Sequence, residues 1–94
     1  MDNITATGWK NKRGTATRSC KCGKWWQHWV NKSGKSWPVE CSVLDCSNAP
    51  TLGAHVINPD VTGERIVPMC DSCNGLDGSF DLKGGITLVS ATCE

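Results

Sequence analysis

Two close cysteine pairs, Cys41-x4-Cys46 and Cys70-x2-Cys73, are the residues of this chain best spaced for chemistry. A short loop between two cysteines presents both sulfurs to one ion, and two such loops complete the tetrahedron that zinc prefers. The cation replaces the thiol protons, so the site ties distant parts of the chain together as it forms. These four are read as a structural zinc site in preference to disulfides or buried free thiols. Cys20-x-Cys22 and His28 place three more ligands of the usual type within nine residues. The fourth ligand there is His55 or Cys93; Cys93 stands next to the C-terminal residue, which favours His55. The expectation is Zn2+ at Cys41, Cys46, Cys70 and Cys73, and a second Zn2+ at Cys20, Cys22, His28 and His55.

Metal is also what the composition asks for. The 94 residues include seven cysteines, ten glycines, five tryptophans, one phenylalanine and no tyrosine. One domain of this length builds a hydrophobic core that is marginal by itself, so it needs staples. The odd cysteine count and an N-terminus unlike a secretory signal favour metal over a disulfide framework. They point to a cytoplasmic protein. No apolar run is long enough to span a membrane.

Charge divides the chain. Between Asn3 and Val39 stand eight basic residues, Lys10, Lys12, Arg13, Arg18, Lys21, Lys24, Lys32 and Lys35, and no acidic one. From Glu40 onward the balance is acidic, and the net charge is only +1. Such asymmetry suits a polyanion partner for the first half, nucleic acid in particular; two halves facing each other would serve as well.

The elements that must position these groups are short. Residues 1–18 read as a flexible basic arm or a loosely attached edge. Residues 24–32 read as a helix, with Trp25, His28 and Trp29 on one face and a stop between Asn31 and Gly34. Residues 53–57 and 64–68 read as the strands of a hairpin around a turn at 58–63. Residues 70–77 open a helix of a turn or two, and Ile86–Val89 reads as a final strand. The fold class is a small, metal-stabilised α+β domain spanning 1–94.

The order cysteine pair, hairpin with histidine on its first strand, second cysteine pair opening a helix resembles the treble-clef zinc fingers. Among them it is similar to the HNH (ββα-metal) endonucleases. The carrying residues are Cys41 to Cys46, Gly53-Ala-His-Val-Ile-Asn-Pro59 and Ile66-Val-Pro-Met-Cys-Asp-Ser-Cys-Asn74, about a third of the chain. The resemblance implies a treble-clef core over residues 41–80, His55 as general base and Asn74 as ligand of a catalytic divalent ion such as Mg2+. Ala54, Arg65 and Asp77 stand where the family has another metal ligand, an asparagine and a basic residue. A second zinc site would also occupy His55. The expectation is therefore a non-catalytic relative that contacts nucleic acid through its basic half. An active endonuclease using His55 and Asn74 is one alternative, and a protein-interaction adaptor is the other.

Trp25, Trp26, Trp29 and Trp37 fall within thirteen residues, among lysines. With so few other large apolar residues, the core must draw on them. Trp25 and Trp29 are expected inside, and Trp26 or Trp37 nearer the surface. The segment Trp9-Lys10-Asn11-Lys12-Arg13 reads as a basic arm that orders on binding.

Overall fold

The computed structural model describes residues 5–12 and 24–92. Arg13, Arg18, Cys20, Lys21, Cys22 and Cys93 lie outside the described residues.

The centre of the fold is the hairpin. β1 (Lys10–Asn11) is followed by α1 (Trp25–Ser33), then β2 (Leu52–Asn58) and β3 (Val61–Met69), α2 (Asp71–Asn74) and β4 (Val89–Ser90). β2 and β3 pair antiparallel from Leu52↔Met69 to Asn58↔Val61. The turn is tighter than the predicted span of 58–63, because the Asn58 side chain closes it locally. Its Oδ1 accepts the Asp60 backbone N–H at 2.8 Å, leaving Val61 free to begin the returning strand. β1 adds to β2 and β4 to β3, both antiparallel, in the order β1-β2-β3-β4.

Side chains alternate across this sheet and divide the interior. On one face Ala54 and Val56 of β2 meet Val67 and Met69 of β3, with Trp9, Val43, Phe80, Leu82 and buried cysteines. On the other face Ile66 and Val89 meet Trp29 of α1, with Trp25 and Trp37 partly buried beside them. A helix can lie this close because β2 offers Gly53. A Cβ there would sit 2.6 Å from the backbone carbonyl carbon of Trp25 and 2.8 Å from the nitrogen of Trp26.

α1 agrees with the predicted helix to within a residue at each end. Gly34 stops it in the left-handed region at φ 70°, its N–H bonded to the Val30 carbonyl at 3.0 Å. The last strand is shorter than expected, since only Val89–Ser90 pairs with β3. Thr87, inside the expected span, instead gives its carbonyl to the Trp29 indole N–H at 2.9 Å.

Over residues 5–12 the flexible-arm reading is corrected: the segment is an edge of the sheet, as the alternative had it, but is firmly packed and not loosely attached. Trp9 is fully buried. Its backbone exchanges two hydrogen bonds of 2.8 Å with Phe80, and its indole N–H reaches the Thr5 carbonyl at 2.8 Å. A ring of this size removes 150–250 Å2 of apolar surface from water, about what a small core cannot do without. Of the remaining tryptophans, Trp29 is buried as expected, Trp25 and Trp37 are half-buried, and Trp26 is the exposed one.

Candidate metal centre

Cys41 and Cys46 flank a tight loop in which the Cys46 N–H returns to the Val43 carbonyl at 3.1 Å. Asp45 takes φ 68° within it, a conformation that Asp tolerates better than most residues. The loop is closed from outside by the Cys41 N–H, which donates to the Asn48 carbonyl at 2.8 Å. Cys70 follows β3 directly, and Cys73 lies in the first turn of α2. Pairing Leu52 with Met69 therefore brings the second cysteine pair beside the first. All four thiols are free, and their sulfurs lie within 4.8 Å of one another.

That geometry fits a tetrahedral ion. Four sulfurs at Zn–S bonds of about 2.3 Å would stand about 3.8 Å apart, and Cys46 and Cys70 Sγ are 3.7 Å apart. Two donors already favour sulfur charge. The Cys70 backbone N–H points to Cys41 Sγ at 3.4 Å, and Asn48 Nδ2 to Cys70 Sγ at 3.8 Å. The thiols differ accordingly. Burial works against Cys70, yet the Cys73 backbone N–H and neighbouring donors bring it down to about 7. Burial pushes Cys41 up, and it pushes Cys73 further up, helped by the thiols around it. One thiolate is thus accessible near neutral pH, while crowded sulfurs resist a second negative charge until a cation supplies the balance. A donor set of four sulfurs and no carboxylate suits a soft or borderline ion and disfavours Mg2+ or Ca2+. With four protein ligands the site would be closed, which is structural rather than catalytic design.

The histidines lie elsewhere. His55, in β2 opposite Ile66, faces α1, and its ring meets the Trp25 ring at 4.3 Å between centroids. His28 of α1 meets the same tryptophan at 5.1 Å. Both histidines are buried. His28 Nε2–H donates to the Ser90 carbonyl at 2.7 Å, which fixes the tautomer and the ring plane. The fold thus gathers the two histidines of the expected second site around one indole; Cys20 and Cys22 lie outside the described residues.

His55 and Asn74 are not brought to one face. Cys73 of α2 packs with Ala54 and Val56, on the opposite side of the sheet from the His55 ring. Of the basic residues, Lys10, Lys24, Lys32 and Lys35 are exposed and Lys12 is half-buried.

Three residues the sequence reading missed support the cysteine loops. Lys83 Nζ donates to the Cys46 carbonyl at 2.6 Å and pairs with Glu40 at 3.0 Å. Asn48 links the two cysteine pairs, its carbonyl accepting from the Cys41 N–H and its Nδ2 donating to Cys70 Sγ. Asn11 Nδ2 donates to the Cys73 carbonyl at 2.9 Å and to the Leu76 carbonyl at 3.1 Å, capping α2 from β1. Lys83 and Asn11 act across 37 and 62 positions, and no local spacing marks them.

Comparison with known proteins gives no match to this chain among family models, curated proteins or solved structures. Among the described residues, no helix is long and apolar enough to cross a membrane.

Proposed function

We propose that this chain is a small zinc-binding protein with a treble-clef-like, non-catalytic HNH-type core that contacts nucleic acid through its basic N-terminal half. The observation that carries the zinc reading is the convergence of four free sulfurs within 4.8 Å, from one loop and one strand–helix junction. The order loop, β2–β3 hairpin and α2 supports the treble-clef description.

Burial of His55 supports the non-catalytic side. A general base must reach an attacking water, and His55 is only 5% exposed, against Trp25. A divalent ion held by Asn74 would sit across the sheet from it. The gathering of His28 and His55 around Trp25 instead supports a second zinc site completed by Cys20 and Cys22. The Ser90 carbonyl orients His28 in the manner usual for a metal-bound imidazole. For nucleic acid, the support is electrostatic. Exposed lysines on β1, at the start of α1 and at its end stand in a stretch that lacks any acidic residue from Asn3 to Val39.

Metal analysis of the natively purified chain tests the core of this reading, with two zinc ions per chain expected. A single ion would remove His55 from the ligands, and a folded, metal-free protein would refute the zinc reading outright. Incubation with plasmid, single-stranded DNA and RNA in Mg2+, Mn2+ or Ni2+ is expected to give no cleavage. Cleavage lost in His55→Ala would establish the nuclease instead.

A further inference from the structure

The four cysteines of the metal centre are not equally sheltered. Cys41, Cys70 and Cys73 are buried, whereas Cys46 is half-buried. Cys46 stands in the run 44–49, whose other five residues are all exposed. Anchorage differs in the same sense. Cys41 Sγ takes the Cys70 backbone N–H at 3.4 Å, and the Cys41 N–H is tied to the Asn48 carbonyl at 2.8 Å. Cys73 stands in α2, where Asn11 Nδ2 donates to its carbonyl at 2.9 Å. A small solute arriving from solvent therefore meets Cys46 first.

A second sulfur lies close behind it. Cys46 Sγ and Cys70 Sγ are 3.7 Å apart. A disulfide needs about 2.05 Å, a gap that small rotations of two side chains close. Cys70 sits at the junction of β3 and α2, so such a bridge would join the same two segments that a shared ion joins.

We propose that Cys46 and Cys70 form a peroxide-responsive pair whose oxidation releases the zinc. The proposal rests on the zinc reading above, in which bound sulfurs are thiolates. The Cys46 thiolate attacks hydrogen peroxide and breaks its O–O bond. Sulfur keeps one oxygen as a sulfenic acid, and hydroxide leaves. The Cys70 thiolate then attacks the Cys46 sulfur, the S–O bond breaks, and a second hydroxide departs. The two sulfurs have together given two electrons to one peroxide. Thiolates, not disulfides, hold the ion. Cys41 and Cys73 are then left as two ligands where zinc takes four, and the metal is lost.

Hydrogen peroxide added to the natively purified, zinc-loaded chain tests this, with remaining thiols alkylated and bridges mapped by tandem mass spectrometry. The first bridge should be Cys46–Cys70, and one zinc should reach a chromogenic chelator for each bridge formed. Dithiothreitol with added zinc should reverse both changes. Brief exposure of the loaded chain to iodoacetamide should label Cys46 at least about tenfold faster than Cys41 or Cys73. A first bridge between another pair, oxidation without a bridge, or a bridge that leaves the zinc bound would each overturn the proposal. So would labelling of Cys41 or Cys73 ahead of Cys46. All four outcomes leave the zinc reading standing, because the starting chain carries the ion. A folded chain purified without zinc would overturn both.

Discussion

Cys70 follows β3 directly and precedes α2, where a backbone N–H and an asparagine already favour its thiolate. Its partners Cys41 and Cys73 are held in the protonated form by burial, so the metal must displace protons from them. The sign of the pH dependence follows. A bound metal would hold its ligands as thiolates, so the stability it supplies is present at high pH and is lost as pH falls. In the empty site Cys70, at about 7, also takes up a proton below neutral pH, so one more proton must then be displaced for metal to bind. Zinc affinity, measured by competition with a chromogenic chelator, should therefore fall more steeply below pH 7 than above it. Cys73→Ser replaces a buried thiolate ligand with a hydroxyl and should abolish binding at the four-cysteine site, read as loss of bound zinc and of cooperative unfolding. These ligands were legible in the sequence because a metal loop is local: two residues a few positions apart suffice. Lys83 was not, since only the fold brings it to the Cys46 carbonyl, 37 positions away.

At the level of the elements, α1 and the hairpin were readable because periodicity, glycine and turn chemistry act over a few residues. Trp25, His28 and Trp29 share a face by helical spacing, and Gly34 ends the helix by adopting a conformation that other residues resist. The contact between α1 and β2 was not readable. It depends on Gly53, which in the sequence is simply the residue before Ala54 and His55. A methyl group there would meet main-chain atoms, which cannot rotate away. Gly53→Ala should therefore destabilise the fold by about 1–3 kcal/mol, measured by denaturant unfolding with metal held in excess. It should also disturb the packing of Trp25 on His55, visible as a change in near-ultraviolet circular dichroism. β4 illustrates the opposite limit. The alternation Ile86-Thr-Leu-Val89 suggests four strand residues, but Trp29 takes the Thr87 carbonyl that a ladder would use.

Across the whole molecule, the structure supplies stability from two faces of a thin sheet, and the proposed zinc would add to it. Trp9 shows how much the face bearing the cysteines depends on distant segments. It bridges Phe80, and Leu82 in turn bridges Val43 in the first cysteine loop. Trp9→Ala should cost about 3–5 kcal/mol, detected as a lower unfolding midpoint, and should loosen the loop that carries Cys41 and Cys46. On the proposed zinc reading, metal would outweigh either face. A structural zinc site contributes about 10 kcal/mol or more at neutral pH, against a net stability of about 5–15 kcal/mol for folded domains in general. Chelation with excess EDTA should thus unfold the chain cooperatively, followed by tryptophan fluorescence, and added zinc should restore it.

The sequence by itself determined the cluster of four cysteines, the helix, the hairpin and the basic first half, because each is written in spacing or composition over short stretches. Tertiary structure alone decided that Trp9 belongs to the core rather than to an arm, and that His55 faces α1 and Trp25 while α2 lies across the sheet. It also decided that Lys83 and Asn11 brace the cysteine loops. Those facts depend on which strand pairs with which, and on the face to which a period of two residues turns each side chain. Neither is expressed until the long-range register of the hairpin is set.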